Sequence, residues 1–188
     1  LMDHYGDGGA HVEAAPCNRD ALFVLARSEL KQDVATGRDK PGAMRALVAL
    51  QRIVDTDPDD ARNRVNLGNI HLSAKTFREA EVAYREALEI DPSLTAAALN
   101  LALVLDVNGR GNEAIHVLEK TLEQNPDFAD GHNQMATVLY RKRRFAEALS
   151  AVNQAISLNA SNATYLANQG NILAALKRYS DARDAYLK

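Results

Sequence analysis

From residue 61 onward, apolar and polar positions alternate in blocks that have helical rather than strand spacing. In ARNRVNLGNIHLSA the apolar residues Val65, Leu67, Ile70 and Leu72 recur at intervals of two to three, with no proline to interrupt them. A short polar turn, AKTF, separates this block from FREAEVAYREALEI, in which Ala80, Ala83, Tyr84, Ala87 and Leu88 form one stripe. Pro92, next after Asp91, cannot continue that second helix and presets the backbone for the next. The pattern predicts a pair of amphipathic helices.

The pair recurs. Pro58, Pro92 and Pro126 stand 34 residues apart, and the next step falls on Ala160. The same step carries Ala80 to Ala114, Ala148 and Ala182, and Gly68 to Ala102, Ala136 and Gly170. It also carries Leu67 to Leu101 and Met135, and Phe77 to Gly111, Phe145 and Tyr179. Several independent series in one register define a repeat, and a repeat of this length made of helix pairs stacks into a solenoid. Gly68 and Ala80 and their counterparts lack bulk, so the two helices of a pair can approach closely, with Tyr84 and Phe77 filling the space around the contact.

These residues resemble the tetratricopeptide repeat family, whose unit is a 34-residue helix–turn–helix. NLGNIHLSAKTFREAEVAYREALEIDP meets nearly the whole pattern; His71, Gly111 and Leu118 stand in slots where the family prefers aromatic residues. The resemblance implies an all-α chain, a right-handed superhelical solenoid of antiparallel helix pairs. Four copies follow: 61–94, 95–128, 129–162 and 163–188, the last stopping inside its second helix. Upstream, PGAMRALVALQRIVDTDP reads as the second helix of an earlier copy, because Ala46 and Ile53 lie 34 residues before Ala80 and Ala87. Residues 20–60 are therefore expected to form a divergent capping pair, with a first helix over residues 20–35. Residues 1–19, rich in Gly and Asp and without periodicity, are expected to form a flexible arm.

Composition narrows the function. Ala makes up 32 of 188 residues, which suits closely approaching helices. A net charge of −3 leaves no basic surplus for nucleic acid or an anionic membrane. One Cys excludes an internal disulfide framework and a Cys-rich zinc site. No apolar run reaches the roughly 18 residues needed to span a bilayer. With no visible signal peptide either, a cytoplasmic chain is the expectation.

Candidate chemistry is sparse. Asp3, His4, Asp7, His11, Glu13 and Cys17 have no spacing tied to a metal site, so neither metal nor cofactor is expected. AAPC lacks the preceding apolar stretch of a lipid-attachment site. The glycines of YGDGGA and NGRGNE lack the strand that a phosphate loop requires, and Gly109 and Gly111 serve the turn. His71, His116 and His132 fall on different helices, and Asn159 and Asn162 head glycan motifs that matter only in a secretory compartment. No nucleophile–base or paired-carboxylate arrangement emerges, so no catalysis is expected within these residues. Arg141, Lys142, Arg143 and Arg144 form a basic corner, read as solvated or as a dock for an acidic partner.

The family resemblance implies a concave groove lined by the first helices, which binds a peptide or partner helix. At one slot of four consecutive first helices stand Asn66, Asn100, Gln134 and Asn168, with Asn69 and Asn171 one turn further along. Such amides can pair with an extended peptide backbone, or with neighbouring repeats. The array is similar to the asparagine ladder of the O-linked N-acetylglucosamine transferase repeats. A carboxylate clamp for acidic chaperone tails is not expected, because Val65, Leu99, Asn133 and Gln134 occupy the slots of its cations. The expected function is a protein–protein interaction scaffold. Two alternatives stand beside it: a substrate-recruiting arm of a larger modifying enzyme such as a glycosyltransferase, and self-association through an uncapped last repeat. Homo-oligomers, or continuation into further repeats or another domain, belong to the same expectations.

Overall fold

The computed structural model describes residues 41–188. The expected arm and the helix proposed for residues 20–35 lie outside the described residues. Nine helices follow: α1 (Pro41–Thr56), α2 (Ala61–Ser73), α3 (Phe77–Ile90), α4 (Thr95–Val107), α5 (Gly111–Gln124), α6 (Ala129–Arg141), α7 (Phe145–Leu158), α8 (Ala163–Ala175) and α9 (Tyr179–Tyr186). No strand interrupts them among the described residues. The even-numbered helices are the first members of each pair and the odd-numbered ones from α3 are the second. The whole is a right-handed superhelical solenoid.

Local signals set the boundaries. Asp60 and Asn162 cap α2 and α8, their side chains accepting from the backbone N–H of Arg62 and of Thr164 and Tyr165 respectively. Each turn within a pair contains one left-handed residue at the same register: Lys75, Gly109, Arg143 and Lys177, with φ between 61° and 79°. Only Gly109 adopts that conformation without crowding from a Cβ.

The close approach predicted inside each pair is present. A Cβ added to Gly68 would lie 2.5 Å from Cε1 and 2.8 Å from Cδ1 of Tyr84, which is fully buried. Gly170 has the same relation to the ring of Tyr186. In the two middle repeats the corresponding residues are Ala102 with Leu118 and Ala136 with Val152, all completely buried in one core cluster. The departure of Leu118 from the aromatic pattern is thus matched by a methyl on the facing helix, which preserves volume. Upstream, α1 packs on α2: Leu50, Ile53 and Val54 bury themselves with Leu67, Ile70 and Ala83.

Consecutive first helices touch each other, α2 with α4, α4 with α6 and α6 with α8. Second helices pack against first helices, and successive second helices meet only through long side chains, as Arg85 of α3 and Glu113 of α5 do at 3.7 Å. The first helices therefore form the short inner edge of the curve, and the second helices spread along the outer edge. Clefts open between successive second helices. One, of about 310 Å3, lies between α3 and α5 over Leu88, Leu101 and Val117; another, of about 420 Å3, is lined by α1, α2 and α3. Across the outer edge Arg110 joins two repeats, its Nη1 reaching Glu81 at 2.7 Å and its Nε donating to Glu113 at 2.6 Å.

His71 lines the second of these clefts, with Nδ1 2.9 Å from Oγ1 of Thr76. Burial holds its pKa below the ordinary 6.5, against an opposing pull from Glu79. The unfolded chain therefore binds this proton more readily, so stability is lost as pH falls through 6.5 towards the folded pKa. Melting temperature is expected to decline modestly between about pH 7.5 and 5.5, and His71→Gln should flatten that decline. Thermal melts of the two chains across this range check it.

Candidate groove on the first helices

Polar side chains that bridge consecutive first helices mark the inner face, because only there do these helices meet. Between α2 and α4, Nδ2 of Asn100 donates to Oδ1 of Asn69 at 2.9 Å. Between α4 and α6, Nη1 of Arg141 reaches Asp106 at 2.5 Å. Between α6 and α8, Nδ2 of Asn168 donates to Oδ1 of Asn133 at 2.8 Å, and the hydroxyl of Tyr165 donates to Asp130. Burial, reinforced by that carboxylate, pushes the Tyr165 phenol up to about 12, so it remains a donor at neutral pH. Each junction along the groove has its own polar tie.

The amides do not form a ladder along a single slot. Asn100 and Asn168 turn back to a different position on the preceding helix, Asn69 and Asn133. Asn69 receives a second bond, from the hydroxyl of Tyr84 at 2.8 Å, and Asn171 receives the equivalent bond from Tyr186 at 2.7 Å. Burial holds the Tyr84 phenol well above its ordinary value, with a smaller opposing effect from the Asn100 amide, and it too stays protonated. Gln134 is half-buried, and its Nε2 is enclosed without a partner among the described residues. Asn66 is half-buried, with no side-chain bond among the described residues.

Two of these features have a signal in the sequence. Asn133, at a slot where a carboxylate clamp would need a cation, joins the amide set through Asn168. Gly-Asn at 68–69 and at 170–171, each with a Tyr fifteen residues after the Asn, marks the tyrosine-bonded amides. Between the amides the groove is aliphatic, with half-buried Val65, Leu99 and Leu103 and exposed Val107. Val65 and Leu99 stand where a carboxylate clamp would need cations, and both pack partly into the core.

The basic corner is partly neutralised within the chain. Arg141 pairs with Asp106, and Arg144 with Glu147, whose carboxyl Arg144 holds below its ordinary pKa. Lys142 and Arg143 project without a partner among the described residues, the stem of Lys142 lying against Gly111. His116 and His132 lie apart, on an outer cleft and against the carbonyl of Pro126. Among the described residues no group of His, Cys, Asp and Glu could hold a metal ion, and no helix is long and apolar enough to cross a membrane.

A solenoid of helix pairs with a polar-tied inner groove defines a helical-repeat scaffold for contacts with other proteins. Family models described as "Tetratricopeptide repeat" match residues 42–95 and 133–188, and a second such model matches residues 71–138. The chain belongs to the tetratricopeptide repeat family. Among curated relatives, anaphase-promoting complex subunit 7 of Dictyostelium discoideum is 29% identical over 151 residues, covering 75% of this chain and 26% of that protein. Protein O-mannosyl-transferase Tmtc1 of Drosophila melanogaster is 33% identical over 146 residues, covering 76% of this chain and 16% of its own length. The chain thus spans about a quarter or less of these relatives. Among solved structures, Pseudomonas aeruginosa PilF superimposes with a TM-score of 0.73 at 20% identity, over 90% of this chain and 75% of that one. MamA from Desulfovibrio magneticus does so with 0.69 at 15% identity, over 88% and 92%. Both likenesses are of fold.

Proposed function

We propose that the chain is a scaffold that holds an extended peptide of a partner protein along the inner groove, through the amides Asn66, Asn69, Asn100, Asn133, Asn168 and Asn171. The observation that carries this reading is the set of amides tied across consecutive first helices, which are held in place and still have unused hydrogen-bonding capacity. A backbone supplies amide-spaced donors and acceptors wherever it is extended, whereas the aliphatic stretches at Val65, Leu99 and Leu103 suit uncharged side chains. The groove has few unpaired charges, so binding should depend weakly on salt.

The test uses a fluorescein-labelled decapeptide of alternating Ser and Val, acetylated and amidated at its ends. Fluorescence anisotropy should show binding to the chain, and Asn66→Ala/Asn100→Ala/Asn168→Ala should weaken it at least tenfold. Helix content should be unchanged, and melting only slightly lowered, because these side chains are half-buried. Equal binding by the variant would refute the groove reading; loss of the fold would show that the amides serve stability.

A second reading, a substrate-recruiting arm of a longer modifying enzyme, draws on the likeness to an O-mannosyl-transferase. Mannosyl transfer by the complete gene product to a protein bound in the groove would favour it. Groove binding without transfer would leave the scaffold reading.

A further inference from the structure

Two repeats share a three-residue arrangement that the other two lack. In the first, Gly68 leaves room for the Tyr84 ring, whose hydroxyl reaches the adjacent Asn69; in the last, Gly170, Tyr186 and Asn171 do the same. Where Leu118 and Val152 replace the tyrosine, Leu103 and Thr137 replace the asparagine. The hydroxyl and the amide therefore occur together or not at all, which packing alone would not require.

The consequence is one of polarity. An asparagine side chain has one accepting oxygen and one donating NH2 group, and whatever occupies one end turns the other outward. Oδ1 of Asn69 accepts from both Tyr84 and Asn100, and Oδ1 of Asn171 accepts from Tyr186. Oδ1 of Asn133 accepts from Asn168. The oxygen of Asn69 thus accepts two bonds inside the protein, and those of Asn133 and Asn171 accept one each. None of the three NH2 groups has an acceptor among the described residues.

We infer that Tyr84 and Tyr186 are positioning residues which lock the groove amides with their N–H groups outward, so that the groove recognises hydrogen-bond acceptors, the main-chain carbonyls of its peptide. This rests on the peptide-groove reading above and adds its direction: ligand carbonyl oxygens face the first helices. It also separates the amides into tyrosine-held donors (Asn69, Asn171) and amides whose own oxygen accepts no bond among the described residues (Asn100, Asn168).

Three measurements test this. In the ligand-free chain, NMR should show both side-chain amide protons of Asn69 exchanging rapidly with solvent, while one proton of Asn100 is protected by its bond. Protection of an Asn69 amide proton would overturn the assigned polarity without touching the groove reading. Asn69→Asp keeps an oxygen for Tyr84 and Asn100 but turns a second oxygen outward. It should weaken the Ser-Val decapeptide roughly tenfold with little change in melting. Unchanged affinity in Asn69→Asp would refute donor recognition, even if the triple alanine variant had confirmed the groove. Tyr84→Phe retains the ring and removes only the hydroxyl, and should weaken the same peptide about threefold to fivefold. Affinity equal to that of the parent chain would remove Tyr84 from its positioning role. Failure of the parent chain to bind the decapeptide would overturn the groove reading and this inference with it.

Discussion

Replacing Gly68 with Val should destabilise the chain by about 3 kcal/mol, the upper part of the range for overpacking a filled core. The first added carbon alone would sit 2.5 Å from a ring carbon of Tyr84. That ring is fully buried and has no room to withdraw. The helices α2 and α3 would have to separate, loosening Leu67, Ile70 and Ala83 and with them the seat of α1. A fall of about 10 °C in melting temperature is expected for a chain of this size. The middle repeats indicate the remedy. Gly68→Ala/Tyr84→Leu recreates the Ala102–Leu118 pair and should recover most of the loss. A double-mutant cycle with the two single variants would show strong coupling; additive effects would contradict the steric account.

The converse substitution, Leu118→Tyr, should be comparably damaging, for two separable reasons. The ring meets the methyl of Ala102 where Tyr84 meets only Gly68, an overpacking penalty of about 2 kcal/mol. Its hydroxyl also arrives beside Leu103, which has no acceptor to offer, and an unpaired buried hydroxyl costs about another 1–2 kcal/mol. Ala102→Gly should relieve the first penalty and Leu103→Asn the second. The triple variant is expected to melt close to the parent chain, and the order of the four melting temperatures reads out each contribution. Equal stability of Leu118→Tyr and the parent would mean that the middle repeats hold spare volume, contrary to the complete burial of Ala102 and Leu118.

The fold was legible because packing in a repeat protein is written into the sequence at fixed intervals. Pro58, Pro92 and Pro126 set the period, and Gly68, Ala80, Tyr84 and their counterparts identified which faces meet. The site was only half legible. The positions Asn66, Asn100 and Asn168 are evident as a 34-residue series, but a series implies similar surroundings. Here the actual bonds run across it, from Asn100 to Asn69 and from Asn168 to Asn133, because a side chain on one first helix faces a different register on its neighbour. Tyr84 fills the space left by Gly68, as the pattern predicts. Its hydroxyl is a separate feature: the spacing from Asn69 to Tyr84 recurs from Asn171 to Tyr186, and the 2.8 Å distance to Asn69 shows what that spacing does. The basic corner illustrates the same limit: Asp106, 35 residues before Arg141, has no sequence signal that links it to RKRR.

The arrangement in which first helices pack closely while second helices are linked only by long side chains also sets how the molecule deforms. An assembly joined along one edge and gapped along the other bends like a hinged strip, by widening or narrowing the gaps. The polar ties at Asn69–Asn100, Asp106–Arg141 and Asn133–Asn168 lie on the joined edge and change little as it bends. The clefts over Leu101 and beside His71 lie on the gapped edge and take up the motion. The pitch of the solenoid is thus its softest coordinate, and a peptide pulled taut along the inner face would act on it as a string acts on a bow.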